Sequence, residues 1–195
     1  MTIEVRIKGT QQILLHKYVT STVTEEKLRS SIKDSSNYAE EWKTHTYLDD
    51  EGQVIIPWAN VIASLFDGAK GTKIGKSAVT RLLHTSIFVS SPDNLVYVDG
   101  KPVTIERIKS KNWLHINGAV VSGRRIDRIR TCLPIGWECS FTLQTRPLNK
   151  LSEKDIRGIV DSAGSNAGFG DWRPSAPKKP GPYGTFEVVG WEVNN

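Results

Sequence analysis

The chain has 195 residues, of which 38% are hydrophobic and 24% are charged, the balance of a globular protein rather than a disordered one. This length suffices for one hydrophobic core, so we expect a single domain over residues 1–195. No apolar run is long enough for a membrane helix, and the first residues lack a secretory signal pattern. We therefore expect no membrane partner and a cytoplasmic location.

The basic charge is concentrated in the middle of the chain. The net charge is +5, and residues 70–130 hold 12 Lys and Arg against 4 Asp and Glu. A local excess of this kind is typical of a face that binds a polyanion. An ordinary solvated basic surface is the alternative, and charge alone does not choose between them.

The two cysteines, Cys132 and Cys139, fall within one predicted strand pair. They form no CxxC motif and have no second cluster to complete a metal site. We expect two buried free thiols, no structural metal and no cofactor.

The N-terminal part alternates as a strand and then becomes polar. Thr2–Lys8 places Ile3, Val5 and Ile7 on one face, which predicts the first strand. Residues 13–15 continue as a short apolar run that ends at His16. Residues 20–47 are polar and predict an excursion from the core that could close over a ligand or a neighbouring subunit.

A hairpin and the first core helix follow. Residues 47–57 are typical of a strand, an acidic turn at Asp49–Gly52 and a second strand. From Pro57 onward the period becomes helical. The apolar face of this helix consists of Val61, Ile62, Leu65, Phe66 and Ala69.

Residues 70–130 form a basic insertion. Lys73 and Lys76 lie in a glycine-containing loop whose Gly-Lys-Ser resembles a P-loop, but the segment follows a helix and lacks the earlier glycine of that motif. Leu95–Val98 and Val103–Ile108 are predicted to pair across an Asp-Gly turn, which places Arg107 on a strand.

The densest basic element is the predicted strand at residues 124–130. Alternation places Arg124, Arg128 and Arg130 on one face and Arg125 on the other. Arginine side chains at strand spacing suit a row of phosphates, because each planar guanidinium donates two parallel hydrogen bonds.

The last third predicts a strand, a helix, a glycine-rich loop and a final strand. Residues 137–145 alternate, Ser152 is a helix cap, and residues 185–193 form the closing strand. Combined with the first strand and helix, this order predicts an α+β protein with a ferredoxin-like (RRM-like) β-α-β-β-α-β core, an antiparallel sheet and insertions.

The glycine-rich loop, Gly164–Gly184, carries Trp172, Arg173, Lys178 and Lys179. Glycines permit close backbone approach, and an aromatic ring beside cations suits a phosphate-bearing ligand. A long surface loop without a ligand is the alternative, and Trp172 could also fill the core.

Two segments resemble the RAMP superfamily of CRISPR-associated proteins. Residues 47–58, YLDDEGQVIIPW, resemble its signature of acidic turn, glycine, isoleucine-proline and helix. Residues 168–174, GFGDWRP, and 183–188, YGTFEV, resemble its glycine-rich loop and final strand. The resemblance implies a relationship to RNA-coating backbone subunits of CRISPR effector complexes, and most of all to short standalone relatives in phage and plasmid genomes, which would place the protein in a host cytoplasm.

These observations favour a non-catalytic, largely sequence-independent single-stranded nucleic-acid-binding protein that assembles along the strand as a homo-oligomer or filament. Single-stranded DNA is expected before RNA. The candidate binding residues are Lys73, Lys76, Arg107, Arg124, Arg125, Arg128, Arg130, Trp172, Arg173, Lys178 and Lys179.

Three alternatives stay open. The chain could be a backbone subunit of a CRISPR-type RNA-guided complex. It could be a metal-independent endoribonuclease, as some RAMP relatives are, using His16 or another of its four histidines. It could also be a protein-interaction subunit whose basic face meets an acidic partner.

Overall fold

The computed structural model of the chain describes residues 1–18, 42–121 and 124–194, with the backbone alone described for residues 119–121 and 124–127. Most of the predicted polar excursion at residues 20–47 therefore lies outside the described residues. Within the described ranges, no helix is long and apolar enough to cross a membrane.

The fold is α+β, and every strand pair among the described residues is antiparallel. Seven strands form the main sheet, namely β1 (Thr2–Gly9), β3 (Ile55–Pro57), β6 (Ile87–Val89), β7 (Asp93–Val98), β8 (Lys101–Pro102), β11 (Glu138–Thr145) and β12 (Phe186–Asn194). Their main path runs β12-β1-β11-β7-β3, with β6 paired to β11 and β8 paired to β7.

The described residues also form two smaller sheets, four α-helices and a π-helical turn at Ala163–Ala167. The second sheet has the order β2-β10-β9 and consists of β2 (Ile13–Leu15), β9 (Leu114–Val121) and β10 (Arg124–Leu133). A short hairpin joins β4 (Lys73–Ile74) to β5 (Ser77–Ala78) where the sequence predicted a basic loop. The helices are α1 (Trp58–Gly68), α2 (Val79–Ser86), α3 (Ile105–Lys111) and α4 (Glu153–Ser162).

The predicted first strand is confirmed as β1, which lies between β12 and β11 in the main sheet. Ile3, Val5 and Ile7 are fully buried, while the residues between them are exposed on the opposite, open face. Helices α1 and α4 pack against each other so closely that a Cβ added to Gly68 would lie 2.5 Å from the Ala163 nitrogen. The apolar faces of both helices thus share one core with β1 and β11.

The predicted acidic turn and helix cap are also confirmed. Asp49 accepts hydrogen bonds from the Glu51 and Gln53 amides at 3.0 and 2.8 Å, and its turn is closed by an antiparallel bridge between Leu48 and Val54. Helix α1 then starts at Trp58, directly after Pro57.

At α4, the Ser152 hydroxyl accepts from the Asp155 amide at 3.2 Å, and the Asp155 carboxylate accepts from the Ser152 amide at 2.8 Å. These reciprocal bonds satisfy two amides at the start of the helix, which has no earlier turn to supply their partners.

The prediction of a strand at Val103–Ile108 is wrong. The pairing of this segment with β7 covers Lys101 and Pro102 and ends at the Val103 amide, which donates to the Val96 carbonyl at 3.0 Å. Helix α3 begins at Ile105. The Thr104 hydroxyl accepts from the Arg107 amide at 3.3 Å and so caps the helix. This side-chain cap competes with strand pairing, and a short apolar run does not distinguish the two outcomes.

The two cysteines are buried free thiols, as predicted, but they do not lie in one strand pair. Cys132 lies in β10 and pairs with Leu14 of the second sheet, whereas Cys139 lies in β11 of the main sheet. Complete burial raises the pKa of Cys139 to about 12, which keeps this thiol protonated and unreactive.

Candidate nucleic-acid interface around the glycine-rich loop

The glycine-rich loop is fixed against the rest of the fold by its own backbone. It begins as a π-helical turn, Ala163–Ala167, that continues α4. The Phe169 amide donates to the Gly184 carbonyl at 2.9 Å, and the Gly184 amide donates to the Gln12 carbonyl at 2.7 Å. A Cβ on Gly184 would lie 1.9 Å from the Phe169 oxygen, so only glycine allows this approach.

One side chain of the loop belongs to the hydrophobic core. Phe169 is 3% exposed and stacks on Phe186, with ring centroids 4.8 Å apart and planes 9° apart. Trp137 meets both rings edge-on. The loop is therefore anchored in the core by Phe169, which argues against the alternative of a loop that lies wholly on the surface.

Arg130 of β10 contacts this loop through an ion pair. Its Nε donates to the Asp171 Oδ2 at 2.7 Å, and the Arg130 side chain is only 12% exposed. The other Asp171 oxygen accepts from the Trp172 amide at 3.0 Å, and the Asp171 amide donates to the Leu14 carbonyl at 2.7 Å. Through Asp171, Arg130 thus links β10 to the loop and to β2, so its ion pair has a structural role apart from any contact with a ligand.

Arg173 ties the loop to the end of α1. Its guanidinium lies 3.5 Å from the Asp67 carboxylate and donates to the Gly170 carbonyl at 3.1 Å. Ser175 donates to the same carboxylate at 2.7 Å, and Lys70 does so at 2.6 Å. Although partial burial opposes it, hydrogen bonds from Lys70 and Ser175 lower the pKa of Asp67, so the carboxylate stays ionised and holds these donors.

Three aromatic rings meet at the outer side of the loop. Trp172 lies against Tyr183 with ring centroids 5.7 Å apart and planes 31° apart. His115 of β9 meets Tyr183 edge-on at 5.8 Å and Trp172 at 6.4 Å. All three side chains are half-buried, so Trp172 neither fills the core nor stands free. They form an aromatic cluster that keeps part of its surface open to a planar ligand.

A stacked histidine pair lies at the end of β2, near the same arginines. The His16 and His45 rings are 4.4 Å apart with planes 19° apart, and the His45 Nδ1 donates to the Lys17 carbonyl at 2.7 Å. Burial, together with the neighbouring His45, Arg128 and Arg130, lowers the pKa of His16 to about 4, and the charge of Asp171 opposes this shift. His16 is therefore neutral at physiological pH.

A polar pocket of about 180 Å³ lies behind the loop. Its walls include His16, Asn60 and Ser64 of α1, and residues 168–171 and Arg173 of the loop. Ser64 is 2% exposed and its hydroxyl has no hydrogen-bond partner among the described residues. A buried hydroxyl without a partner is costly, so this pocket suits a water molecule or a ligand oxygen.

The structure brings some predicted site residues together and separates others. Arg130, Trp172 and Arg173 meet at the loop, and Lys178 and Lys179 are exposed on it. Arg128 is half-buried in β10, close enough to affect the His16 pKa.

The remaining candidates lie elsewhere or outside the described side chains. Lys73 and Lys76 are exposed on the β4–β5 hairpin. Arg107 donates to the Lys101 carbonyl at 2.8 Å and lies 5.1 Å from the Trp113 ring, so its contacts are local to β8 and α3. Arg124 and Arg125 have described backbones in β10, but their side chains lie outside the described part.

Sequence reasoning missed the partners that assemble this site. His115, Tyr183, Asp171 and Asp67 come from β9, the loop and α1, and each is an isolated residue of its type in its own segment. Tyr183 alone carried a signal, since an aromatic residue between Pro182 and Gly184 has little else to pack against within the loop. The other three are recognisable only once the sheets are assembled.

The open face of the main sheet has the opposite character. Glu4 lies across from Glu192, and the neighbouring pocket of about 320 Å³ is lined by both, together with Asp93. Lys8 pairs across strands with Glu187 on one side and Glu138 on the other. Arg6 lines the same pocket, but the three carboxylates outnumber it, so this face is poorly suited to a polyanion. Among the residues that the structure describes, no three His, Cys, Asp or Glu side chains form a metal-binding group.

Comparison with known proteins gives similarity at the level of the fold. No family model matches the sequence, and no curated protein matches it. Among solved structures, the chain is similar to a chain in the cryo-EM structure of the type III-B Cmr-beta bound to cognate target RNA, with a TM-score of 0.56 and 14% identity. The match covers 98% of this chain and 59% of that chain, so this chain spans less than two thirds of its neighbour's length.

Proposed function

We propose that the chain is a non-catalytic protein that binds single-stranded nucleic acid along β10 and the glycine-rich loop. The observation that carries this proposal is the aromatic cluster of Trp172, Tyr183 and His115 beside Arg130 and Arg173. Rings that accept stacked bases next to cations that contact phosphates are the two components of single-strand binding.

The distribution of charge supports this location. Lys178 and Lys179 are exposed on the loop, whereas the open face of the main sheet carries opposed carboxylates at Glu4 and Glu192. A bound nucleic-acid strand would therefore follow the side of the molecule that carries the glycine-rich loop. It would avoid the open face of the main sheet, although RRM domains bind RNA on the corresponding sheet face.

We also infer that the core is ferredoxin-like and that the chain is related to the RAMP superfamily. Strands β12, β1 and β11 lie side by side, and β6 and β7 pair with successive parts of β11. Along the chain, α1 lies between β1 and β6, and α4 lies between β11 and β12. This arrangement fits a β-α-β-β-α-β core whose second strand is broken in two. The residues quoted above at 47–58 and 168–188 support the relationship.

Single-stranded RNA is the first ligand to test. The chain of similar fold comes from the structure of a type III-B Cmr-beta bound to cognate target RNA, which shifts our proposal from single-stranded DNA towards RNA. We keep the proposal that copies of the chain assemble along the strand, because a sequence-independent binder gains occupancy from neighbours.

The test is fluorescence anisotropy with labelled single-stranded RNA, single-stranded DNA and duplex DNA, each over a series of salt concentrations. We expect single strands to bind with an affinity that falls steeply with salt and depends little on sequence. Trp172→Ala should weaken binding about 5- to 10-fold, in line with the loss of one stacked base. Protein-to-strand stoichiometry on oligonucleotides of increasing length tests assembly.

The matched control removes charge without touching the loop. Lys150→Ala with Lys154→Ala takes two exposed positive charges from the start of α4, and we expect it to leave affinity nearly unchanged. If none of the three nucleic acids binds at low salt, the proposal is wrong, and the basic residues either face a protein partner or are an ordinary solvated surface.

The stacked histidines favour a second candidate, a metal-independent endoribonuclease. His16 is neutral at physiological pH and can accept a proton, and His45 is in ring contact with it. RNA cleavage that persists in EDTA and is lost in His16→Gln would favour this activity. Intact RNA after long incubation with the parent chain would exclude it.

A further inference from the structure

A pocket on another side of the molecule has the composition of a ligand site. We name it the Trp58/Arg146 pocket; it has a volume of about 530 Å³, and its walls include Trp58, Ile62, His84, Phe88, Val89 and Arg146. The pocket lies between the start of α1 and β6. Strand β3, which leads into α1, pairs with β7 and not with β6. This volume is in the range of small-molecule sites.

Two of its walls offer aromatic surface. Trp58 is the first residue of α1 and is 52% exposed. Its amide donates to the Pro92 carbonyl at 3.0 Å, so the backbone at this position is fixed while the indole is open. Phe88 is half-buried and carries the Arg146 guanidinium 5.1 Å above its ring. A guanidinium stacked in this way keeps its N–H groups available at its edge.

The charge of the pocket is of one sign. Its titratable lining residues are Arg146 and His84, with no carboxylate, whereas the pockets described above include Asp93 or Asp171 in their walls. Arg146 makes no salt bridge within the described ranges. An anionic group entering the pocket would therefore meet an arginine that has no competing carboxylate.

The edge of β6 adds a hydrogen-bonding pair. The Ser90 amide donates to the Thr142 carbonyl at 2.9 Å, and the Arg146 amide donates to the Ser86 carbonyl at 2.7 Å. In an antiparallel pair these bonds alternate, so the N–H and C=O of Val89 point away from β11. Neither group has a partner among the described residues. One residue thus presents a donor and an acceptor side by side next to the aromatic rings.

We propose that the Trp58/Arg146 pocket binds a nucleobase together with its phosphate. The base stacks on the Trp58 indole, its polar edge meets the Val89 main chain, and Arg146 contacts the phosphate. The ligand is either a free nucleotide or one unpaired nucleotide of a bound strand, and the second case rests on the function proposed above. In the second case, the pocket gives the bound strand a base-binding site that is remote in sequence from the glycine-rich loop.

The experiment is a titration of ¹⁵N-labelled full chain with AMP and, separately, with UMP, followed by NMR. The Trp58 indole signal is assigned from Trp58→Phe, and the Val89 amide from backbone assignment. We expect saturable shifts of both signals, with a dissociation constant on the order of 1 mM or below. Trp58→Ala and Arg146→Gln should each weaken binding about 10-fold, as expected for the loss of a stacked base or a charge-assisted contact.

The matched control is Leu148→Ala, since Leu148 is 80% exposed two residues after Arg146 and does not line the pocket. This variant should bind like the parent chain. The absence of any shift at Trp58 and Val89 with both nucleotides at about 5 mM, several times the highest constant expected, overturns the proposal. In that case the open edge of β6 and the apolar rings are left for a protein partner.

A second arm separates the two sources of the ligand and the two proposals. Anisotropy with single-stranded RNA is repeated on Trp58→Ala. A loss of about 10-fold, matching the nucleotide titration, assigns the pocket to the bound strand. Nucleotide shifts at Trp58 without any strand binding support a free nucleotide and refute the proposed function. Strand binding that needs Trp172 but is unaffected by Trp58→Ala, with no nucleotide shifts, refutes the pocket and leaves the proposed function intact.

Discussion

Two segments of this chain combine glycine with basic residues, and the structure uses them in different ways. In the glycine-rich loop, a Cβ on Gly170 would lie 2.2 Å from the Leu14 oxygen, and one on Gly184 would lie 1.9 Å from the Phe169 oxygen. In the β4–β5 hairpin segment, Gly71 and Gly75 also have positive φ but have no atom within 4 Å of such a Cβ. The first glycines allow close packing, and the second only shape a turn.

The basic residues of the two segments differ in the same way. Arg173 of the loop forms an ion pair with Asp67, and Arg130, which contacts the loop, forms one with Asp171. Both arginine side chains are largely shielded from solvent. Lys73 and Lys76 are exposed and form no salt bridge within the described ranges. Arginines that first stabilise the loop also fix the position of its aromatic cluster. The comparison therefore assigns a rigid scaffold to the loop and only solvated charge to the hairpin.

The largest expected effect separates the two kinds of glycine. Gly184→Ala should lower the free energy of unfolding by about 3 kcal/mol or more, because the added methyl group meets backbone that cannot move aside. Gly71→Ala should cost only about 1 kcal/mol, the price of a positive φ in open space. Urea denaturation of both variants measures the difference. Equal losses would show that the loop is not packed as described.

The next effect concerns the ion pair that holds the loop. Asp171→Ala should lower the free energy of unfolding by about 2 kcal/mol, because Arg130 is left largely buried without its partner. Asp161→Ala is the matched control; it removes an exposed pair with Arg157 and should cost less than about 1 kcal/mol. A change in Asp171→Ala no greater than in the control would mean that Arg130 is not needed for the loop.

Binding sharpens the comparison further. Lys178→Ala with Lys179→Ala should weaken single-strand affinity about 10-fold and reduce the salt dependence by one to two counterions, about 0.7 in slope for each phosphate contact on a single strand. Lys73→Ala with Lys76→Ala removes the same charge from the hairpin and should change affinity less than about 2-fold if the loop is the interface. Anisotropy over a salt series measures both. A larger effect at the hairpin would move the interface there.

The smallest effect is a pH dependence on the loop side. The pKa of His16 is lowered to about 4 in the folded chain, so the unfolded chain, with a pKa near 6.5, binds this proton more readily. Stability from this residue is therefore complete above about pH 6.5 and is lost as the pH falls towards 4. With allowance for its partial exposure, we expect about 1 kcal/mol of loss between pH 7 and pH 5.

Urea denaturation of the parent chain and of His16→Gln at pH 7, 6 and 5 isolates this contribution from that of the carboxylates. The parent should lose more stability than the variant as the pH falls. Curves that stay parallel would show that His16 is as easily protonated in the folded chain as in the unfolded one.

The predicted and observed elements differ for identifiable reasons. Alternation and capping located β1, β11 and α4, because Ile3, Val5 and Ile7 or the Ser152–Asp155 pair act within a few residues of one another. The short apolar run at residues 103–108 predicts a strand, but the Thr104 side chain caps a helix there. Local competition of this kind is hard to resolve from a short apolar run.

The sequence by itself determined the α+β class, the main strands and helices, the concentration of basic residues and the presence of a glycine-rich loop with an aromatic residue. These features depend on neighbours along the chain, through periodicity, turn chemistry and caps. Only the tertiary structure decided that Arg130 and Arg173 are paired with Asp171 and Asp67, that Trp172 meets Tyr183 and His115, and that His16 stacks on His45. Those contacts join residues far apart in sequence, and they form only when β2, β9, β10, α1 and the loop are brought together by burial of the core.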